Sequence, residues 1–266
     1  MREKVITIDL VDLKIVEEHI ALITLNRSEA ANAMSKSLLD DLNHTIQKVN
    51  QNTDIYCTII TGSEEKAFSA GADLKERKGM TEDQVIAAVQ YIGETITTVE
   101  NMRMPVIAAL NGVAYGGGLE LALACDLRIA ADHVKMGLTE VSLAIIPGAG
   151  GTQRLPRLIG LGQAKRLIYT AKPVRAEEAL TIGLVEQVAE KDKLYDETIQ
   201  LAKTIASNGP IALNQAKTAI NNGMQTDIAS ALTLEHSNYK KTIPTTDRME
   251  GLIAFSEKRR PEYKGK

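Results

Sequence analysis

Four stretches of this sequence carry residue types suited to carbonyl chemistry. Two are glycine-rich turns, each behind an apolar run: Ile59-Ile60-Thr61-Gly62 leads to Phe68-Ser69-Ala70-Gly71-Ala72-Asp73, and Val106-Ile107-Ala108-Ala109-Leu110-Asn111-Gly112 leads to Tyr115-Gly116-Gly117-Gly118-Leu119-Glu120. Residues with little or no side chain let a ligand reach the main chain, so a pair of such turns can aim two backbone N–H groups at one developing oxyanion. The other two stretches each hold a carboxylate in apolar company: Glu120, at the start of a run ending at Ala124, and Glu140, within residues 136–146. A lone glutamate among apolar residues usually has a structural reason, such as a cap, an ion pair or a place on a wet helix face. Two of them beside two open-backbone turns favour chemistry, because desolvation raises a carboxyl pKa and lets one acid keep its proton while its neighbour is ionised.

Other constellations fail on spacing. Gly148-Ala149-Gly150-Gly151-Thr152-Gln153 begins like a dinucleotide fingerprint but has Gln153 where the third glycine belongs, and no strand leads directly into it. No lysine follows a glycine pair at P-loop spacing. The histidines, His19, His44, His133 and His236, are scattered singly, so no metal site is expected. Ser69 lacks the leading glycine of a nucleophile elbow and reads as a loop serine. Lys75, Arg77 and Lys78 form a short basic cluster after the first turn, readable either as a solvated helix face or as contacts to a ligand phosphate.

At 266 residues, with 44% hydrophobic and 24% charged residues, the chain can bury a sizeable core and carries no low-complexity tract. A net charge of −3 gives no general attraction to phosphate backbones or anionic lipid, so neither nucleic acid nor membrane is an expected partner. Cys57 and Cys125 read as buried free thiols. The first nine residues have acids interrupting a short apolar stretch, without signal-peptide character, and no run approaches membrane-spanning length; a cytoplasmic setting is expected.

The elements that must position the four stretches are legible from periodicity. Residues 14–17 and 20–25 read as a hairpin about Glu18-His19, and Ser35 opens a helix with Leu38, Leu42, Ile46 and Val49 on one face. Residues 55–61 return as a buried strand. Thr81 with Gln84 predicts a capping box for a long helix carrying Val85, Val89, Ile92, Ile96 and Val99, and Pro105 marks the next strand. Strand, glycine turn and helix thus recur in the same order, which predicts a layered α/β spiral or sheet. After a strand at 185–188 the pattern is helical, over 192–207, 210–222, 227–242 and 246–258. The expected division is a core over 1–198 and a helical appendage over 199–266, where Leu232, Leu252, Ile253 and Phe255 can face the core or another subunit.

At its glycine turns and glutamates the chain resembles the enoyl-CoA hydratase, or crotonase, superfamily. Residues 68–74 and 111–122 resemble the two oxyanion-hole segments of that family, and Glu140 through Ile146-Pro147-Gly148-Ala149-Gly150-Gly151-Thr152-Gln153-Arg154-Leu155 resembles its second catalytic segment. The resemblance implies a ββα spiral core with a C-terminal helical trimerisation region, assembled as a homotrimer or a dimer of trimers. It implies that the amides of Ala70 and Gly117 hold a thioester oxygen, that Glu120 activates water for attack at Cβ, and that Glu140 supplies a proton to Cα. Substrate-binding positions implied in the same way are Ala72, Asp73, Leu74, Lys75 and Gly148, with Phe255 and Lys258 reaching the coenzyme of a neighbouring subunit. The substrate would be an acyl-CoA thioester, with no separate cofactor, since coenzyme A is part of the substrate.

Residues 135–140, Ala144-Ile145-Ile146-Pro147 and the segment 242–252 look like methylglutaconyl-CoA hydratases of leucine breakdown. The expected activity is hydration of a short or branched enoyl-CoA. The alternatives are a double-bond isomerase on the same scaffold and, in another class, an RNA-binding protein. The helix over 35–50 has only Lys36 and Lys48, offset by Asp40 and Asp41, which argues against RNA on electrostatic grounds.

Overall fold

The computed structural model describes residues 9–266, so most of the N-terminal segment read above lies outside the described residues. The described residues open with a hairpin of β1 (Val11–Glu17) and β2 (Ile20–Leu25), turned by His19 in the left-handed region at φ 65°. Helix α1 (Lys36–Gln51) follows, with Ser35 Oγ accepting from the Leu38 amide at 3.3 Å. Its face of Leu38, Leu42, Ile46 and Val49 is fully buried, each side chain contributing on the order of 1.5–3 kcal/mol.

The next units repeat one plan. Strands β3 (Cys57–Gly62) and β4 (Ala67–Ser69) lead through the one-turn helix α2 (Leu74–Arg77) into α3 (Glu82–Glu100). Thr81 and Gln84 form the expected reciprocal capping box at its start. Strands β5 (Val106–Leu110) and β6 (Val113–Tyr115) lead into α4 (Gly117–Ala124), and β7 (Leu127–Ala131) and β8 (Lys135–Gly137) lead through a 3-10 turn at Glu140–Leu143 into α5 (Gly151–Ile159). Helix α6 (Leu161–Thr170), β9 (Val174–Arg175), α7 (Ala176–Thr181) and β10 (Gln187–Ala189) close the core with α8 (Leu194–Ala206).

The two strands of each repeat part company. β3, β5 and β7 enter a six-stranded sheet ordered β1-β2-β3-β5-β7-β10, parallel apart from the β1/β2 hairpin. β4, β6 and β8 enter a four-stranded sheet ordered β4-β6-β8-β9, whose first three strands are parallel. This is the ββα spiral. Strand β5 is buried along its length, as a continuous apolar run in a central parallel strand requires. Helix α4 is buried on all sides and touches α3, α5, β4 and β6, so whatever it carries is held inside the molecule.

The last helices are α9 (Pro210–Gly223), α10 (Ile228–Thr242) and α11 (Thr246–Glu257). The division expected at 198/199 falls inside α8, which lies entirely on the sheet against β2, β3, β5 and β7 through Leu194, Ile199, Ala202 and Ala206. Periodicity marks a helix without saying what it packs on. In contrast, Ile220, Met224, Ile228, Leu232, Leu252, Ile253 and Phe255 are exposed on the chain alone, so these large apolar residues of the final three helices do not turn to the core.

Candidate active site

The first glycine turn joins β4 to α2 and is held by the loop before α1. Ala31 and Asn32 stand in the left-handed region, at φ 51° and 52°. Buried Asn32 accepts from the Arg27 amide at 2.8 Å and donates to Ala67 O at 2.9 Å. Ser69 Oγ donates to Asn32 O at 2.8 Å and accepts from the Gly71 amide at 3.2 Å. Ser69 is therefore a buried strand residue bracing the turn, and not the loop serine expected from sequence. Arg27 Nη1 meets Asp73 Oδ2 at 2.6 Å, and Asp73 caps α2 by accepting from the Lys75 and Glu76 amides. Burial pushes the Asp73 carboxyl up, but Arg27 and these amides outweigh it and hold it below its ordinary value.

The amide expected to face the ligand is already occupied. Ala70 N–H donates to Ala31 O at 2.9 Å, while the Met34 amide donates to Gly71 O at 2.7 Å and the Asp73 amide to Met34 O at 3.4 Å. Among the described residues, the Ala72 amide makes no hydrogen bond, so the free donor lies two residues beyond the one inferred from the motif. The cause is the Met34–Ala72 bridge, which uses the carbonyl of Gly71 and the amide of Asp73, on either side of Ala72, and leaves the Ala72 amide pointing away.

The second turn brings Gly117 to the same place. Gly116, at φ +50°, breaks from β6, and Gly117 opens α4 with an N–H that has no intrahelical acceptor. A Cβ added to Gly71 would lie 2.9 Å from Gly117 N, and one on Gly117 would lie 3.6 Å from Ala72 N. A Cβ on Gly118 would lie 2.1 Å from Ser69 O. Glycine here serves the approach of the two turns to each other, which places the Ala72 and Gly117 amides side by side at the positive end of α4.

One turn into α4, Glu120 is 2% exposed, and its Oε1 accepts from the amides of Ala149 and Gly151, both at 2.8 Å. Oε2 accepts nothing from the described residues. The Ala149–Gly151 turn is fixed by Arg154, which donates to Ala149 O at 3.0 Å and pairs through two nitrogens with Glu100 of α3 at 3.2 and 2.6 Å. Sequence reasoning gave Arg154 no role of its own. Its one available signal was its place three residues after Gly151, on the first turn of a helix. Gly148, expected to line the reacting end, lies against Val89, where a Cβ would come within 2.5 Å of Cγ1.

Glu140 begins the 3-10 turn after β8 and points its carboxyl at Gly116, with Oε1 3.1 Å from where a Cβ there would be. Its Oε2 is buried with no partner. Burial raises both glutamates, but two amide donors oppose it on Glu120, whereas Glu140 is pushed up to about 7 by desolvation, with the charge of Glu120 adding to the rise. The two carboxyls therefore hold one proton near neutrality, and it rests on Glu140.

The remaining expected residues divide. Ala72 joins the site, Asp73 is taken up by Arg27, and Leu74 and Lys75 are exposed on α2. Phe255, 85% exposed, and Lys258 stand at the far end of α11, whose Asp247 accepts from the amides of Lys264 and Gly265. Lys36 of α1 is tied to Asp40 at 2.7 Å, which leaves that helix little free positive charge.

The sequence pattern of the enoyl-CoA hydratase/isomerase family matches residues 16–266, which hold the amide pair, both glutamates and the ββα spiral. The chain belongs to the enoyl-CoA hydratase/isomerase family. It is 58% identical over 248 residues to a putative enoyl-CoA hydratase/isomerase of Bacillus subtilis, covering 93% of this chain and 95% of that protein. It is 45% identical over 250 residues to human mitochondrial methylglutaconyl-CoA hydratase, covering 92% of this chain and 74% of that protein. A crystal structure of an enoyl-CoA hydratase from Bacillus anthracis superposes with a TM-score of 0.95 at 52% identity, covering 97% of this chain and 100% of that one. The crotonase fold and its C-terminal helices are thus established for this member of the family.

Proposed function

We propose that the protein adds water reversibly across the 2,3 double bond of short or branched enoyl-CoA thioesters. The observation that carries this reading is a pair of glutamates in unlike surroundings, buried Glu120 accepting from two amides and half-buried Glu140 with an Oε2 that has no partner, so that the proton the two share rests on Glu140. The thioester oxygen sits between the Ala72 and Gly117 amides. Water at the open Oε2 of Glu120 gives up a proton to that carboxylate as its oxygen bonds to Cβ. The π electrons move onto the thioester as an enolate, which the amide pair and the α4 dipole stabilise. The proton on Glu140 then passes to Cα. One water is consumed, and the enzyme is left with the proton on Glu120 until exchange with solvent restores the starting state.

The family name covers isomerases as well, and an isomerase moves a proton without needing a water activator. Glu120 is what favours hydration here. The similarity to methylglutaconyl-CoA hydratase supports a branched, carboxylated substrate such as 3-methylglutaconyl-CoA. We also infer that other copies of the chain cover Leu232, Leu252, Ile253 and Phe255, as a homotrimer or a dimer of trimers.

The test is turnover of crotonyl-CoA and 3-methylglutaconyl-CoA, followed by loss of the enoyl thioester chromophore and by isolation of the product. A 3-hydroxyacyl-CoA supports the reading. A shifted double bond with no water added assigns the isomerase instead.

A further inference from the structure

Each amide of the pair belongs to a peptide group whose carbonyl is also engaged. In a trans peptide the N–H and the C=O point opposite ways, so the group that bonds the carbonyl stands behind the donor. Behind the Gly117 N–H is Gly116 O, which accepts from the Glu120 amide at 2.9 Å, the first bond of α4. That donor is backed by a helix. The Ala72 N–H has no helix behind it. It shares its peptide with Gly71 O, which accepts from the Met34 amide at 2.7 Å. The Met34 amide shares its peptide with Ala33 O, which accepts from Arg27 Nη1 at 3.0 Å.

A relay therefore runs from a cation to the thioester site: the Arg27 guanidinium, the Ala33–Met34 peptide, then the Gly71–Ala72 peptide. Hydrogen bonds in series polarise one another, by about 10–30% per bond, and more so away from water. Only 22% of the Arg27 side chain is exposed, which limits how far solvent weakens the relay. Nη1 also meets Asp73 Oδ2 at 2.6 Å, a contact that pins the guanidinium beside Ala33, while Asp73 Oδ1 is taken by the Lys75 and Glu76 amides.

We propose that Arg27 acts on the oxyanion from two peptide groups away, aiming and polarising the Ala72 amide, so that this donor gains from a side chain what the Gly117 donor gains from α4. Arg27 is thus a positioning residue, which works through Ala33 and Gly71 without touching the substrate. The inference rests on the reading that seats the thioester oxygen between the two amides. A neutral carbonyl draws little on the relay and an enolate oxygen draws more, so the contribution of Arg27 falls mainly on the transition state.

The test uses butyryl-CoA, a saturated thioester with no double bond to hydrate, carrying carbon-13 at its carbonyl. Isotope-edited infrared spectra should show the stretch lowered on binding to the wild type, and moved back toward its value in water in Arg27→Lys and further in Arg27→Met. Losing one oxyanion donor outright costs about 10²–10³ in kcat, so Arg27→Met should cost about tenfold in crotonyl-CoA turnover, about 1.4 kcal/mol, with a smaller change in KM and partial recovery in Arg27→Lys. Should Arg27→Met not fold, the wild type decides. Ala33-Met34 is the single Ala-Met step in the sequence, so carbon-13 carbonyl alanine with nitrogen-15 methionine singles out one amide by NMR. Its proton should move downfield when butyryl-CoA binds at Ala72. A carbonyl stretch that is the same in folded Arg27 variants as in the wild type, or a Met34 amide unmoved by the ligand, overturns the relay and leaves the hydratase reading intact. A wild type whose bound carbonyl stretches as it does in water overturns both, since the thioester oxygen then does not sit on the amides.

Discussion

Gly151 donates its amide to Glu120 Oε1 at 2.8 Å, across a turn in which Ala149 does the same. These bonds choose the carboxylate form of a buried acid, leave its other oxygen for water, and so make Glu140 the holder of the proton the two groups share.

The pH dependence follows from that sharing. Hydration starts with Glu120 ionised and Glu140 protonated, and dehydration starts with the reverse, so both directions need the pair to hold a single proton. The kcat/KM profile should be bell-shaped, with an alkaline limb near pH 7 where the last proton leaves, and an acid limb where both are protonated. Because water enters without net charge, both limbs should coincide for enoyl-CoA hydration and 3-hydroxyacyl-CoA dehydration. A profile flat to pH 9, or limbs that differ between directions, contradicts the shared proton.

The same shift acts on stability. Glu140 has its folded pKa raised above the ordinary 4.5, so the folded state binds more protons than the unfolded one between pH 4.5 and about 7, and stability falls across that window. Glu140→Gln should therefore melt at a higher temperature than the wild type at pH 8, with the difference vanishing below pH 4.5. Thermal unfolding at the two pH values checks the sign.

Arg154 positions Glu120 through the Ala149 turn, and Glu100 anchors Arg154. Arg154→Met is expected to lower kcat by about 10 to 10²-fold, the scale of a displaced catalytic group, with a smaller change in KM. Glu100→Gln should give a similar loss, and the double variant should be no worse than the more affected single one. Losses that multiply would show that the two do not act as a unit.

The glycines separate by what surrounds them. Gly118→Ala sets a Cβ 2.1 Å from Ser69 O and should cost stability by more than about 3 kcal/mol or prevent folding. Gly162→Ala, in α6 with nothing within 4 Å, should stabilise by about 0.5–1 kcal/mol. Denaturant melts of the two variants measure both.

Truncation after Thr242 removes α11 with Phe255 and Lys258 and should weaken both assembly and thioester affinity. Light scattering that finds a fully active monomer at assay concentration rules out an assembly role for this tail.

What the sequence made legible was local. Ser35, Thr81 with Gln84, and Pro105 announced their elements because capping and proline constraints involve neighbours in the chain. Both glutamates stood out as charges in apolar runs. The free amide of the first turn was placed two residues too early, because which N–H is free is decided by the bridge to Met34 and the bond from Ala70 to Ala31, partners distant in sequence. Arg154 and Asn32 were invisible for the same reason: each has its meaning in a contact across the fold. The place of α8 on the sheet was hidden too, since its helical period is the same on a core as on an appendage.

The central claim is that two carboxyls carry out one hydration, and turnover of crotonyl-CoA by Glu120→Gln and Glu140→Gln tests it most directly. The amides keep the shape and lose the proton, so each variant should lose about 10²–10⁴ in kcat while binding of the thioester is largely kept. A loss confined to Glu140→Gln, with Glu120→Gln near the wild-type rate, contradicts the account and points to proton transfer without activated water.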